Sequence, residues 1–215
     1  DTIAFWQQTD EPEVTARTYN EIGRLHVILK EYDLALNAHR QALGSLPPLK
    51  SPALRADILM RWGQVHLAIG GKNQEKAIPL FTQALEEWKK VRDTRSLQGL
   101  AQTLKLLALT HSLLNEKAKA QTYYEQSLKY WDQLEFPLES IDTRYNLGTI
   151  LHEQGESIQA VTWLSEALRR TRTAAKTQSN PRLTLAAEIR ILNNLGVTLS
   201  ATGEPEKALD HFTEG

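Results

Sequence analysis

The chain has 215 residues, with 25 Lys and Arg against 26 Asp and Glu, so its formal net charge is −1 at pH 7. This balance argues against a general nucleic-acid binder, because such proteins carry a basic surface. Hydrophobic residues make up 41% of the chain and charged residues 24%, a composition typical of folded globular proteins and unlike that of disordered segments.

The absence of cysteine excludes disulfides, thiolate metal sites and cysteine nucleophiles. It fits a reducing compartment, and we expect a cytoplasmic protein. The apolar segments are far shorter than the roughly 20 residues that a membrane-spanning helix needs, so we expect no membrane partner. The N-terminal residues carry neither an initiator methionine nor a signal-peptide pattern, and we expect the chain to be part of a longer protein.

A helical motif recurs five times along the chain, and each copy is anchored by an alanine. The anchors lie 40 to 48 residues apart and are Ala35, Ala77, Ala120, Ala160 and Ala208. A bulkier residue follows four positions later in each copy, namely His39, Phe81, Tyr124, Leu164 and Phe212. In the first four copies a small residue follows the anchor after two helical turns. The pattern predicts a helix whose small residues let another helix approach closely.

A second helical pattern precedes each of these helices. In the first copy it consists of Tyr19, Ile22, Gly23 and His26. Four copies place a glycine at the same position, which is held by Gly23, Gly63, Gly148 and Gly196. Because a mid-helix glycine costs roughly 1 kcal/mol relative to alanine, its recurrence indicates a close helix contact. Short polar segments separate the two patterns, so each unit is predicted to be an antiparallel helix pair.

The repeats divide the chain into consecutive segments. Residues 1–10 are predicted to end the second helix of an earlier repeat, because Trp6 falls where later second helices carry a tryptophan. The repeats that follow are predicted at residues 12–48, 51–93, 95–135, 137–178 and 181–215, the last of them truncated. The longest connection is predicted from Thr173 to Arg182, with Pro181 starting the next helix.

These residues resemble the tetratricopeptide repeat, which pairs a Leu-Gly in the first helix with Ala, Phe and Ala in the second. The departures are local: Ala108 replaces the glycine, Ser127 replaces the second alanine, and Arg144 stands where an apolar or aromatic residue is usual. The spacing exceeds the family's usual length of about 34 residues. It is similar to the extended repeats of kinesin light chains and LGN/Pins scaffolds, whose Asn-Leu-Gly motif matches Asn146-Leu147-Gly148. The resemblance implies an all-α, right-handed superhelical solenoid of antiparallel helix pairs.

In this family the first helices of successive repeats line a concave groove, so the resemblance implies a set of groove residues. In the first half of the chain this set is basic and comprises Arg17, Asn20, Arg24, Arg61, Gln64 and Lys105. In the second half it is mostly neutral and comprises Tyr145, Asn146, Thr149, Asn193 and Asn194. Side-chain amides both donate and accept hydrogen bonds, which suits the main chain of an extended peptide. The competing interpretation of each residue is a solvated helix face.

Residues suited to catalysis or metal binding are sparse. His26, His66 and His111 occupy one repeated position in three different units, where the family usually has an aromatic residue, so we expect no metal site. The sequence contains no Gly-x-Gly-x-x-Gly, no Walker-type motif and no Gly-x-Ser-x-Gly motif. We therefore expect neither a cofactor nor an enzymatic activity.

The resemblance implies a non-enzymatic scaffold that holds a peptide or helix of another protein in the groove. We expect the basic residues to attract acidic side chains and the asparagines to bind the main chain. The alternative is a sensor or regulatory arm of a larger multidomain signalling enzyme or transcription regulator, which contacts its own neighbouring domain.

Overall fold

The computed structural model describes residues 11–47, 50–134, 137–177 and 181–214. Ten α-helices and no strand are found in these ranges. The helices are α1 (Pro12–Ile28), α2 (Tyr32–Ser45), α3 (Pro52–Ile69), α4 (Gln74–Lys89), α5 (Thr94–Leu113), α6 (Lys117–Leu134), α7 (Pro137–Glu153), α8 (Ser157–Thr177), α9 (Pro181–Ala201) and α10 (Pro205–Glu214). The prediction of an all-α fold is confirmed. We call the odd-numbered helices first helices and the even-numbered ones second helices.

The helix ends follow from local sequence. Five helices begin at a proline, which is favoured at the first helical position because its missing N–H would have no helical partner there. Each of the five turns within a helix pair contains a residue with positive φ, namely Lys30, Gly70 and Gly71, Asn115, Gly155 and Gly203. After α7, for example, the Glu156 N–H bonds back to the Leu151 carbonyl at 2.9 Å. Such a bond ends the helix and turns the chain at once into its partner helix.

The predicted connection from Thr173 to Arg182 is wrong over its first five residues, because α8 continues to Thr177. Ala174 is buried in the core, and the Thr173 hydroxyl donates to the Arg169 carbonyl at 3.0 Å, so this turn is held within the helix. Pro181 begins α9, as predicted. The prediction for residues 1–10 and Trp6 lies outside the described residues.

The described residues form two compact units, which divide between Leu114 and Asn115. The first unit contains α1 to α5. Its helix pairs pack as the small and large residues predict: a Cβ added at Gly23 would lie 2.6 Å from His39 Cε1, and one added at Gly63 would lie 2.4 Å from Phe81 Cε1. Each glycine therefore leaves room for the large side chain of its partner helix.

The second unit contains α6 to α10 and has its own core. In it, Leu164 fills the space beside Gly148, where an added Cβ would lie 2.7 Å from the leucine Cγ. The core continues between the later helices through fully or almost fully buried Ile141, Ile191, Leu192 and Leu195. In both units, a mid-helix glycine thus leaves room for a large side chain of the partner helix.

Candidate functional site

All the predicted groove residues lie on first helices, and we call the surfaces that they form the first-helix faces. Each unit has its own face. On α1, α3 and α5 of the first unit, Arg17, Arg24 and Gln64 are exposed, and Arg61 and Lys105 are half-buried. Asn20 is buried. The arrangement therefore separates residues that can meet a ligand from one that cannot.

Two of the predicted cations are neutralised by neighbouring carboxylates. Arg24 Nε contacts Glu21 Oε2 at 2.7 Å, and Arg61 Nε contacts Asp57 Oδ2 at 2.9 Å. Arg61 Nη2 also lies 3.9 Å from Glu21 Oε1. The hydrogen bond from Arg24 keeps the pKa of Glu21 below its usual value. These four side chains carry no net charge together, so Arg24 and Arg61 contribute less to a basic face than the sequence indicated.

Two cations on this face keep their charge uncompensated. Within the described ranges, neither Arg17 nor Lys105 forms an ion pair with any side chain.

Asn20 joins three helices instead of facing solvent, which differs from its predicted place in an open groove. Its Nδ2 donates to Asp57 Oδ2 at 2.8 Å, and its Oδ1 lies 3.0 Å from His39 Nδ1. Since the amide oxygen must accept this second bond, the network assigns the proton to His39 Nδ1. Asn20 thus holds α1, α2 and α3 together beneath the face and positions Asp57 for its contact with Arg61.

Burial of His39 makes the stability of the first unit depend on pH. The ring is 0% exposed, and burial, aided by the charge of Arg61 and opposed by those of Asp57 and Glu21, lowers the pKa of His39 from 6.5 to about 4. Between these two values the unfolded chain binds a proton that the folded chain does not. Stability conferred by neutral His39 is therefore complete above about pH 6.5 and is lost as the pH falls toward 4.

We expect acidification from pH 7.5 to 4.5 to reduce the unfolding free energy of the wild type by about 2 to 3 kcal/mol more than that of His39→Phe. Phenylalanine is the matched replacement, because Phe81 fills the equivalent position beside Gly63. Urea titrations at several pH values measure the difference. Equal pH dependence in both proteins would show that His39 is not buried as a neutral ring.

In the second unit the structure brings together three of the predicted residues. Asn194 Nδ2, on α9, donates to the Tyr145 hydroxyl and to Thr149 Oγ1 on α7, both at 3.0 Å. Thr149 Oγ1 in turn donates to the Tyr145 carbonyl at 3.0 Å. Asn193 is exposed and Asn146 half-buried, and neither forms a side-chain hydrogen bond within the described residues. They remain available to a ligand.

An arginine completes this cluster. The Arg190 guanidinium lies 4.3 Å above the centre of the Tyr145 ring, and its Nη2 contacts Asp142 Oδ1 at 2.6 Å. Stacking on the ring and the ion pair fix the orientation of the guanidinium. Arg190 and Asp142 thus form a neutral pair beside the anchored tyrosine.

Sequence reasoning missed the carboxylates Glu21 and Asp57, although a signal for the pairing exists. Arg61 and Glu21 both lie two residues before the recurring glycine position, and Asp142 and Arg190 both lie six residues before it. Within each unit, the first helices of neighbouring repeats contact each other, so opposite charges at one register indicate these two pairs. The signal is not general, because Arg17 and Asp57 also share a register, whereas Asp57 pairs with Arg61 four residues later on its own helix.

The described residues contain no group of three or more His, Asp or Glu side chains able to hold a metal ion. His26, His66 and His111 lie on three separate first helices. His26 Nδ1 contacts Glu31 Oε2 at 2.6 Å, and burial keeps the pKa of His66 below its usual value. No helix in the described stretches is long and apolar enough to cross a bilayer.

Helix pairs joined by tight turns, with glycine and large residues in register from pair to pair, define an α-helical repeat protein. Tetratricopeptide repeat family models match residues 54–133 and 189–214. These two segments are tetratricopeptide repeats, as their residues indicated. No curated protein matches it by sequence.

Solved structures with the same fold include BtubC (BKLC) from P. vanneervenii, with 18% identity, a TM-score of 0.81, and coverage of 99% of this chain and 87% of that one. A putative kinesin light chain with nearly identical TPR-like repeats, from Podosopora anserina, has 17% identity and a TM-score of 0.73, covering 94% and 93%. The apo form of RapI has 17% identity and a TM-score of 0.78, covering 92% of this chain and 51% of that one. At these identities the likeness shows the fold alone.

Proposed function

We propose that the chain is a non-enzymatic protein-interaction module that binds a peptide or helix of another protein on its first-helix faces. Stacked repeats of this kind present extended surfaces that are used for binding. The observation that carries the proposal is the anchored Asn194 in the second unit. Both hydrogen bonds of its Nδ2 are made within the protein, whereas its Oδ1 accepts none from the described residues.

A fixed amide with a free acceptor is suited to a peptide N–H. Asn194 cannot rotate without losing two hydrogen bonds, so binding does not have to order it again. Asn193, one residue earlier, is exposed and offers both a donor and an acceptor. Main-chain recognition by these two residues would hold a partner without demanding a particular side chain at each position.

Charge contributes less to the proposed binding than the sequence indicated. Since Arg24 and Arg61 are paired with carboxylates, Arg17 and Lys105 carry the attraction for acidic side chains of the partner. A protein ligand is favoured over nucleic acid, because the net charge of the chain is −1. Binding is accordingly expected to weaken only moderately at high salt.

A second candidate function is a regulatory arm that contacts a neighbouring domain of its own protein. It is favoured by apolar side chains left in solvent at the end of α1 and the start of α2: Leu25, Ile28, Leu29 and Leu34 are between 51% and 64% exposed. Clusters of exposed apolar residues mark protein contacts.

A peptide-display selection on the chain tests the proposal. Peptides that are selected should bind Asn193→Ala and Asn194→Ala with affinities reduced about 3- to 10-fold, as expected for loss of one hydrogen bond. Gln159→Ala, on the exposed side of second helix α8, is the matched control and should change nothing. Fluorescence polarisation at low and high salt measures each affinity.

Peptides that bind all three variants equally would contradict the first-helix face as the site. A selection without any specific peptide would favour the regulatory arm, whose ligand would be a domain of the same protein.

A further inference from the structure

A pocket of about 380 Å³ opens between α7 and α9 on the first-helix face of the second unit. Six residues line it: Leu138, Ile141, Asp142, Ala186, Ala187 and Arg190. Its floor belongs to the core, because Ile141 is 2% exposed and Leu138 packs against the same cluster. The short side chains of Ala186 and Ala187 leave the volume open on the α9 side.

The first unit has a pocket at the same register with a different lining. It has a volume of about 250 Å³ and lies beside Asp57, between α3 and α5. Gln98 and Gln102 line it where the second unit has Ala186 and Arg190, counted from the recurring glycine position. The apolar α9 wall is therefore a property of the second unit and not a consequence of the repeat alone.

The rim of the larger pocket carries a matched donor and acceptor. Asp142 and Arg190 side chains are 50% and 48% exposed and bonded through Oδ1 and Nη2. Asp142 Oδ2 and the other guanidinium N–H groups remain able to bond with a ligand. Because the floor of the pocket is apolar, a charged ligand side chain placed there would lose its hydration without gaining a polar partner. An uncharged side chain suits the apolar floor, and the main-chain amides on either side of it can form hydrogen bonds with the rim.

We infer that this pocket binds one aliphatic side chain of leucine size from an extended peptide of a partner protein. The peptide N–H next to that side chain donates to Asp142, and the peptide carbonyl accepts from Arg190. Arg190 is already held by Tyr145, whose hydroxyl is bonded to Asn194, so the rim is organised before the peptide arrives. The inference rests on the proposed function and names the side chain that the second unit selects.

The test uses acetyl-leucine N-methylamide, which carries one leucine side chain between two peptide groups. Titrated into the isotope-labelled chain, it should shift the NMR signals of Ala186 and Ala187 with a dissociation constant on the order of 1 to 10 mM, as expected for a ligand of this size. The corresponding blocked lysine and blocked glutamate should bind at least about fivefold more weakly.

Variants separate the pocket from the rest of the surface. Ala186→Leu fills the pocket and should weaken blocked leucine at least about fivefold. Ala175→Leu, at an exposed position on α8, is the matched control and should bind as the wild type does. Asp142→Asn should also weaken the blocked leucine, because the amide is a poorer acceptor for the ligand N–H than the carboxylate. Equal thermal unfolding temperatures confirm that the variants fold.

Two results would overturn the inference: equal binding of blocked leucine by Ala186→Leu and wild type, or equal binding of blocked leucine and blocked glutamate. If selected peptides depend on Asn193 and Asn194 while blocked leucine does not bind, the pocket is refuted and the proposed function stands. If no peptide is selected and blocked leucine does not bind, both the pocket and the proposed function are refuted.

Discussion

Replacing Gly99 with alanine is expected to destabilise the first unit by about 2 kcal/mol, although alanine is the better helix former. An added Cβ would lie 2.2 Å from Trp88 Cε2 and 2.3 Å from Cδ2. The indole has little room to retreat, because Trp88 is 8% exposed and its Nε1 contacts Met60 Sδ at 3.1 Å. The clash outweighs the gain of about 1 kcal/mol in helix propensity.

Gly44→Ala is the matched control. This glycine also lies in a helix of the first unit, but no atom beyond its chain neighbours and the backbone of its own helix lies within 4 Å of an added Cβ. Alanine should therefore stabilise the unit by about 0.5 kcal/mol through its propensity alone. Urea unfolding followed by tryptophan fluorescence measures both free energies. A stabilising Gly99→Ala would show that α5 does not press against Trp88.

Removing Asp132 is expected to cost about 2 to 3 kcal/mol of the stability of the second unit, because it isolates a buried guanidinium. Arg144 is 3% exposed and lies where the repeat usually has an apolar or aromatic residue. Its Nη2 donates to both Asp132 oxygens at 2.7 and 2.8 Å, and its Nη1 donates to the Ser140 carbonyl at 3.3 Å. Without Asp132, the Arg144 guanidinium keeps only its weak hydrogen bond to the Ser140 carbonyl and its interactions with more distant groups.

The double variant Asp132→Ala/Arg144→Leu distinguishes this cause from simple loss of packing. Leucine restores the apolar residue of the repeat, so the double variant should be more stable than Asp132→Ala alone by at least about 1 kcal/mol. Chemical unfolding of the two single variants and the double variant completes the cycle. A double variant less stable than Asp132→Ala would mean that the guanidinium contributes packing that leucine cannot replace.

Much of the fold could be predicted because a residue type that recurs at the same position of each repeat indicates a contact made in each repeat. A glycine recurring in the middle of first helices predicted a close helix contact, and the structure places His39, Phe81 and Leu164 of the partner helices beside three of these glycines. The length of α8 could not be predicted in the same way. Its last turn is kept helical by burial of Ala174 against another helix, which local propensity does not reveal.

The candidate site was less predictable, since its chemistry depends on pairs of residues far apart in sequence. Asn20 was assigned to the groove from its register, but its amide is used by Asp57 and His39, which lie 37 and 19 residues away. Arg144 was recognised as an exception, whereas its partner Asp132 lies on the preceding helix and carries no signal of its own. The position of a residue within its repeat indicates the helix face on which it lies. Only the packed structure shows which side chains on that face lack a partner.

Photo-crosslinking of a selected peptide is the most direct test of binding on the first-helix faces. A benzophenone amino acid would replace Gln64 on α3 or Val197 on α9, which hold the same register in the two units, and Arg40 on α2 or Leu209 on α10 as second-helix controls. All four positions are exposed. We predict peptide cross-links from Gln64 or Val197 and none above background from Arg40 and Leu209. Cross-links from the second-helix positions at equal or higher yield would contradict the proposed function.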